Sequence, residues 1–230
     1  MERDTLEQKY HGDMADTYDA LRVGTTQWER EHEIVSGVLA GFPRGTRVLD
    51  VPVGTGRFLE LYRDSGFEAV GADISSSMLA KAREKATDLQ FDVDLVERSV
   101  DALEFEDESF DVVVCIRFLD WVDSDFLARA LAELTRLTRR TIVAYIPTYT
   151  PLAELRPWTI QGLVRGMRQL KLRFYRARTR SDSVLHVRAR VLAIADELGL
   201  RLDQRICIDD PSRRPWKLGT DRDIYVFTRG

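Results

Sequence analysis

Apolar and polar positions alternate along the chain in two distinct periods. From Leu6 to Tyr18 the apolar residues Leu6, Tyr10, Met14 and Tyr18 recur every four positions, which predicts a short amphipathic helix over residues 4–20. A second helix is expected from Trp28 to Ala40, with Trp28, Val35, Val38, Leu39 and Phe42 as its apolar stripe and Gly41 to Pro43 ending it. Short runs rich in β-branched residues then alternate with helical stretches. Strands are expected at Arg47–Val51, Glu68–Asp73, Phe91–Glu97, Phe110–Ile116 and Arg140–Ile146, and helices from Phe58 to Gly66, Ser75 to Ala86 and Ser124 to Leu137. The run Phe110 to Ile116 is almost continuously apolar, as in a strand covered on both faces.

Strands alternating with helices predict βαβ units, a parallel sheet and right-handed crossovers that place helices on both faces. The tail differs. A helix is expected from Val184 to Leu198, followed by strands at Leu200–Ile208 and Asp223–Thr228 with only a polar loop containing Pro211 and Pro215 between them. Such a connection makes that pair antiparallel. The fold class is therefore α/β: a Rossmann-like, doubly wound, seven-stranded and mostly parallel sheet with an antiparallel C-terminal hairpin strand. A length of 230 residues suits one such domain, 1–230.

Composition adds little against this picture. Apolar residues make up 44% and charged residues 31%, the balance of a soluble globular protein. The net charge of -4 argues against a dedicated nucleic-acid binder, so nucleic acid ranks below small molecules as a partner. The N-terminus lacks a signal-peptide core, and no stretch approaches the ~20 apolar residues of a membrane span. Cys115 and Cys207 lie in strand-like runs without metal-ligand neighbours. They read as reduced core thiols of a cytoplasmic protein, and no metal is expected.

The chemistry concentrates in Val48 to Phe58, where a strand runs into Gly54-Thr55-Gly56 and out into a helix. Glycines there let backbone approach a ligand, and the N–H groups of the following helix favour an anionic group. One such turn is weak evidence, because ordinary strand-to-helix connections look the same. Two further acids strengthen it. Asp73 ends the second strand, where an acid meets the ribose hydroxyls of an adenosine ligand. Asp101-Ala102 follows the third strand, where a carboxylate can accept from an adenine amine. A nicotinamide-dependent reading ranks low, because Arg57, Phe58 and Leu59 follow Gly56 and the third glycine of that fingerprint is missing.

With these motifs in order, the chain resembles the class I S-adenosylmethionine-dependent methyltransferases, in particular the small-molecule branch that contains the quinone-biosynthesis enzymes. Val48 to Gly56 matches the first motif, Val70 to Ser75 the second, Asp101 to Leu103 the third and Phe110 to Val113 the fourth. The resemblance covers residues 10–147 well and 184–228 in outline. It implies S-adenosylmethionine as cofactor and S-adenosylhomocysteine as product. Gly54, Thr55 and Gly56 would shape the turn, Asp50 would orient it or the cofactor amine, and Asp73 with Ile74 would take the ribose. Asp101 and Ala102 would lie at the adenine, and Arg117 near the reactive methyl. Tyr10 and Tyr18 match aromatic positions in an N-terminal region, residues 1–42, that covers the cofactor. Pro52 departs from the usual small residue; proline fixes φ and lacks an N–H, so the loop must need no donor there.

The resemblance says little about the acceptor. Phe118 and Trp121 would border its pocket, beside Asp120. His186 is the leading candidate general base and His11 the second, although a structural histidine is the commoner explanation of either. Residues 148–183 form an insertion expected to be a basic helical lid. Arg156, Arg165, Arg168, Lys171, Arg173, Arg176, Arg178 and Arg180 stand there with no intervening acid, alongside Leu163, Met167, Leu170 and Phe174. A solvated helix explains such a run in most proteins. The functional alternative is that Arg165 and Arg168 reach an anionic or lipid-like acceptor, or a membrane surface at which the protein docks peripherally. Methylation of RNA or protein, and a non-catalytic cofactor-binding partner, are the competing functions.

Overall fold

A computed structural model describes residues 23–149, 184–209 and 220–230 of the chain. The predicted helix over 4–20, Tyr10, His11 and Tyr18, the basic insertion with Arg165 and Arg168, and the loop with Pro211 and Pro215 lie outside the described residues.

The described elements run α1 (Thr26–Leu39), β1 (Arg47–Asp50), α2 (Leu59–Ser65), β2 (Glu68–Asp73), α3 (Ser76–Asp88), β3 (Asp94–Glu97), β4 (Phe110–Cys115), α4 (Ser124–Leu137), β5 (Thr138–Tyr149), β6 (His186–Val187), α5 (Arg188–Glu197), β7 (Leu200–Cys207) and β8 (Thr220–Arg229). The sheet has the order β3-β2-β1-β4-β5-β8-β7. β3 through β5 are parallel neighbours, and β8 is antiparallel to both β5 and β7. This is the Rossmann-like methyltransferase arrangement with its single reversed strand. One small strand is additional: β6 pairs in parallel with the end of β5, Thr148 opposite His186.

Strand alternation sends successive side chains to opposite faces, and here each face is covered. On β4, Val113 and Cys115 join one core with Ile142, Ala144 and Ile146 of β5, under Leu127, Leu131 and Leu134 of α4 and Val191 of α5. Val112 and Val114 point the other way, to Val143 and Tyr145, under Val35 and Leu39 of α1, Leu59 and Tyr62 of α2, and Leu79 and Ala82 of α3. This two-sided burial is why the run from Phe110 reads as continuously apolar.

Helix starts follow local chemistry. Thr25 Oγ1 accepts from the Trp28 N–H at 3.3 Å, Ser75 Oγ from Met78 at 3.3 Å, and Asp123 Oδ1 from Phe126 at 2.9 Å. Each side chain satisfies an N–H that the first helical turn cannot. The last predicted helix starts later than expected. Val184 to Val187 remain extended, because the Val184 N–H donates to the Asp120 carbonyl and β6 pairs with β5 before the helix begins at Arg188. The third strand is also shorter than predicted, opening at Asp94 and not Phe91.

Candidate active site

The sheet order reverses at β1, which lies between β2 and β4. Ligands of open α/β sheets bind outside the carboxyl ends of the strands at such a point. A pocket opens there, lined by residues of the first loop (Asp50, Pro52, Gly54, Thr55, Arg57), the end of β2 (Asp73, Ile74), Met78 of α3, the segment after β4 (Ile116, Arg117, Phe118) and Trp28 of α1.

The first loop is threaded between the strands flanking it. The Val51 N–H donates to the Val114 carbonyl at 2.9 Å and the Val53 N–H to the Ala72 carbonyl at 2.8 Å. Pro52 stands between these two donors, after a cis Val51–Pro52 bond, at a position where the ladder asks for no N–H. The departure from the usual motif is thereby accommodated. Gly54 and Gly56 follow with φ of 57° and 79°, a region that side-chain-bearing residues rarely adopt. A Cβ on Gly56 would lie 2.6 Å from Leu59 Cδ1, whereas one on Gly54 would meet nothing within 4 Å. The turn thus packs at Gly56 and stays open at Gly54, on the pocket.

Asp73 closes the turn from below. Its Oδ2 accepts from the Gly54 N–H and its Oδ1 from the Ser75 N–H, both at 2.9 Å. Burial pushes its carboxyl up to about 6, against the pull of those N–H donors. Asp50 lies deeper. It is 2% exposed, its Oδ2 has no hydrogen-bond partner, and burial raises it to about 8, with the facing Tyr62 hydroxyl opposing the shift. An acid so placed is protonated at neutral pH until a cation arrives.

The wall toward α1 is cationic and was not foreseen in the sequence. Glu31 is fully buried and pairs with Arg57 Nη1 and Arg117 Nε, each at 2.8 Å. The Arg57 guanidinium lies 3.7 Å above the Trp28 ring and donates to the Trp28 carbonyl. Trp28, predicted as a core residue, is instead the platform for this cation.

The other predicted site residues divide. Thr55 and Ile74 line the pocket with the glycine turn, as do Arg117 and Phe118. Asp101 and Ala102 do not line it. They sit in a turn closed by the Ser99–Ala102 bridge, where Asp101 accepts from Ser99 Oγ at 2.5 Å. Trp121 packs against the α4-side core. His186 is 2% exposed and away from the pocket lining; its Nε2 lies 2.7 Å from the Leu119 carbonyl, and burial lowers its pKa. Among the described residues no cluster of His, Cys, Asp and Glu could hold a metal.

Residues 48–141, a span from β1 to the start of β5, match the family described as methyltransferase domain. Over these residues the chain carries a methyltransferase domain and resembles the class I S-adenosylmethionine-dependent methyltransferases. Among curated proteins similar to this chain, demethylmenaquinone methyltransferase of Renibacterium salmoninarum is 36% identical over 141 residues, covering 59% of this chain and 55% of that protein. Phosphatidylethanolamine N-methyltransferase of Cereibacter sphaeroides is 39% identical over 99 residues, covering 42% of this chain and 47% of that protein. The chain thus spans about half the length of these relatives. In fold it is similar to magnesium protoporphyrin IX methyltransferase of Synechocystis PCC 6803, with a TM-score of 0.74 at 14% identity and full coverage of both chains. It is also similar to the [4+2]-cyclase SpnF, at a TM-score of 0.60 and 14% identity, covering 86% of this chain and 80% of that one.

The pocket fits S-adenosylmethionine, the cofactor implied by the resemblance, on its own geometry. The buried, unpartnered Asp50 oxygen suits an ammonium, the open face of Gly54 leaves room for a ligand against backbone, and Asp73 presents a carboxylate at the β2 end.

Proposed function

We propose that the protein transfers a methyl group from S-adenosylmethionine to a small-molecule acceptor that is anionic or lipid-like. The observation that carries the cofactor half is the Gly54–Asp73 hydrogen bond, which ties an open glycine turn to a buried acid at the switch point of the sheet. When bound there, the cofactor supplies an electrophilic methyl on a sulfonium centre. Asp73 accepts from ribose hydroxyls, Asp50 from the ammonium of the amino-acid arm, and Ile74 and Met78 give apolar cover. Phe118, held edge-on against Phe126 at 5.9 Å between ring centres, shapes the acceptor side. Displacement at a methyl is favoured chiefly by aligning the nucleophile and excluding water from it.

The acceptor class rests on two supports. Curated relatives are named for a demethylmenaquinone, a phosphatidylethanolamine and a malonyl-[acyl-carrier protein], two of them lipid-like and the third an acid. The acid-free basic stretch from Arg156 to Arg180 supplies charge for an anion, by sequence alone. No described helix is long and apolar enough to cross a membrane. We keep one second reading, a cofactor-binding protein that does not transfer methyl, because SpnF carries this fold under the name of a cyclase.

Calorimetric titration with S-adenosylmethionine and S-adenosylhomocysteine tests the cofactor half, with Asp73→Ala as control. Micromolar binding lost in the variant supports it; no heat and no thermal shift with either ligand removes it. Turnover on anionic quinol, lipid and carboxylate acceptors then decides between methyl transfer and the second reading. For the basic stretch, joint replacement of Arg165, Arg168 and Arg173 should raise the acceptor KM and flatten its salt dependence. An unchanged KM removes the anionic acceptor.

A further inference from the structure

The cation pair on the α1 wall has an unusual charge balance. One fully buried carboxylate, Glu31, faces two guanidiniums, and both arginines line the pocket. Gln27 Nε2 donates to Glu31 Oε1 at 3.1 Å, so both carboxylate oxygens are engaged. The buried Asp120 carboxylate also acts on Arg117, so the cations of this wall are set among buried acids.

The two arginines are not equivalent. Arg57 is held on several sides: by Glu31, by the Trp28 ring and by the Trp28 carbonyl. Arg117 meets Glu31 through Nε and lies with its guanidinium carbon 5.6 Å from the centre of the Tyr145 ring. The Nε contact is an ion pair without an aligned hydrogen bond, and Arg117 lines the pocket with a planar guanidinium whose terminal nitrogens form the fork that matches a carboxylate. Its backbone is also committed, with φ of 64° in the left-handed region directly after β4. Non-glycine residues persist there only when their surroundings hold them. The same pocket is lined by Asp50 and Asp73. It thus presents both carboxylates and guanidiniums to a ligand. A zwitterionic arm laid across it would find partners for both of its charges.

We propose that Glu31 is a positioning residue that fixes the Arg117 guanidinium as the seat of a carboxylate, and that this carboxylate is the one on the amino-acid arm of the cofactor. The inference rests on the cofactor reading above and adds to it a residue on α1 that never touches the ligand. The ion pair makes α1 part of the pocket wall, so Arg117 is held in place before the ligand arrives. Less side-chain freedom is then lost on binding.

The test is calorimetric titration of the full chain with two ligands, S-adenosylhomocysteine and its decarboxylated analogue, which keeps the ammonium and the adenosine. Arg117→Met should weaken S-adenosylhomocysteine by about tenfold or more, the range of a lost charge-assisted hydrogen bond, and leave the analogue within about twofold. Glu31→Gln should show the same selectivity with a smaller loss, and Glu31→Asp should recover part of it. Thermal melts identify variants that fail to fold, and for these Arg117→Lys, which keeps charge but loses the fork, replaces the larger change. If wild-type protein binds S-adenosylhomocysteine and Arg117→Met binds it equally well, the carboxylate seat is overturned while the cofactor reading stands. If Glu31→Gln weakens both ligands alike, its role is structural and the positioning proposal is overturned. If wild-type protein binds neither ligand, the cofactor reading itself falls and this inference with it.

Discussion

Asp73, at the end of β2, accepts a hydrogen bond from the backbone N–H of Gly54 at 2.9 Å across the mouth of the pocket. One carboxylate therefore sets the shape of the first loop and supplies acceptors at the second strand. Asp73→Ala should lower S-adenosylhomocysteine affinity by at least about tenfold, since a charged acceptor and a loop hydrogen bond vanish together. Because burial holds this acid at about 6, affinity should also fall as pH drops from 7 to 5. Calorimetry across that window, repeated in Asp50→Asn so that the Asp50 proton does not contribute, checks both, and a flat pH profile in that variant would show Asp73 to be ionised throughout.

The two glycines of the turn should fail in different ways. An alanine at either pays for a left-handed backbone, roughly 1–2 kcal/mol. At Gly56 the new methyl also meets Leu59 and the Ala82 backbone, whereas at Gly54 it meets open pocket. Gly56→Ala should lower Tm the more. Gly54→Ala should fold nearly as well as the parent and lose ligand affinity. Parallel melts and titrations of the pair provide the comparison.

Asp50 should change its proton count on binding. Burial raises it to about 8, so the free protein carries it protonated at pH 7, and an ammonium at the unpartnered oxygen favours the carboxylate. Binding of S-adenosylhomocysteine near pH 7 should release close to one proton. Titrations in buffers of different ionisation enthalpy measure it, and Asp50→Asn should abolish it. The sign for stability follows from the same shift. A folded-state value above the unfolded one contributes stability that is present below about 4 and lost as pH rises to about 8. The Tm of Asp50→Asn relative to the parent should therefore rise between pH 4 and pH 8.

His186 can be assigned by separating two readouts. Its Nε2 contact with the Leu119 carbonyl, at 2.7 Å in a buried site, ties β6 to the segment after β4. His186→Ala should lower Tm, with a loss of about 1–3 kcal/mol in stability if the Leu119 carbonyl is left unpaired. The pH dependence of methyl transfer should keep its shape. Loss of the acidic limb from that profile, with Tm unchanged, would assign His186 to catalysis as a general base.

The path from sequence to site was clear where the signal is local. The period-two runs and their helical spacers were enough to place β1, β2, β4 and α4, because a strand covered on both faces and a helix with one apolar stripe leave periodic traces. The first loop was legible for a similar reason: Gly54, Gly56 and Asp73 occupy positions set by backbone geometry. His186 was harder, because pairing with Thr148 turns the chain at 184–187 into a strand, and that depends on where β5 ends.

Glu31 marks the boundary. It stands three and four residues before Ile34 and Val35, on the buried stripe of α1, and an acid among apolar neighbours at that spacing was the one trace of it in the sequence. Its partners, Arg57 and Arg117, lie on separate loops; Arg117 was placed at the site by the resemblance, but nothing along the chain joins either arginine to Glu31. The sequence by itself determined the order of strands and helices, the glycine turn and the acid that closes it, since these follow from periodicity and φ preference within a few residues. Only the tertiary structure decided that Trp28 serves a cation and not the core, that one oxygen of Asp50 is buried without a hydrogen bond, and that two distant arginines share one carboxylate. Burial and charge pairing depend on which segments meet in space, and the sheet order settles that.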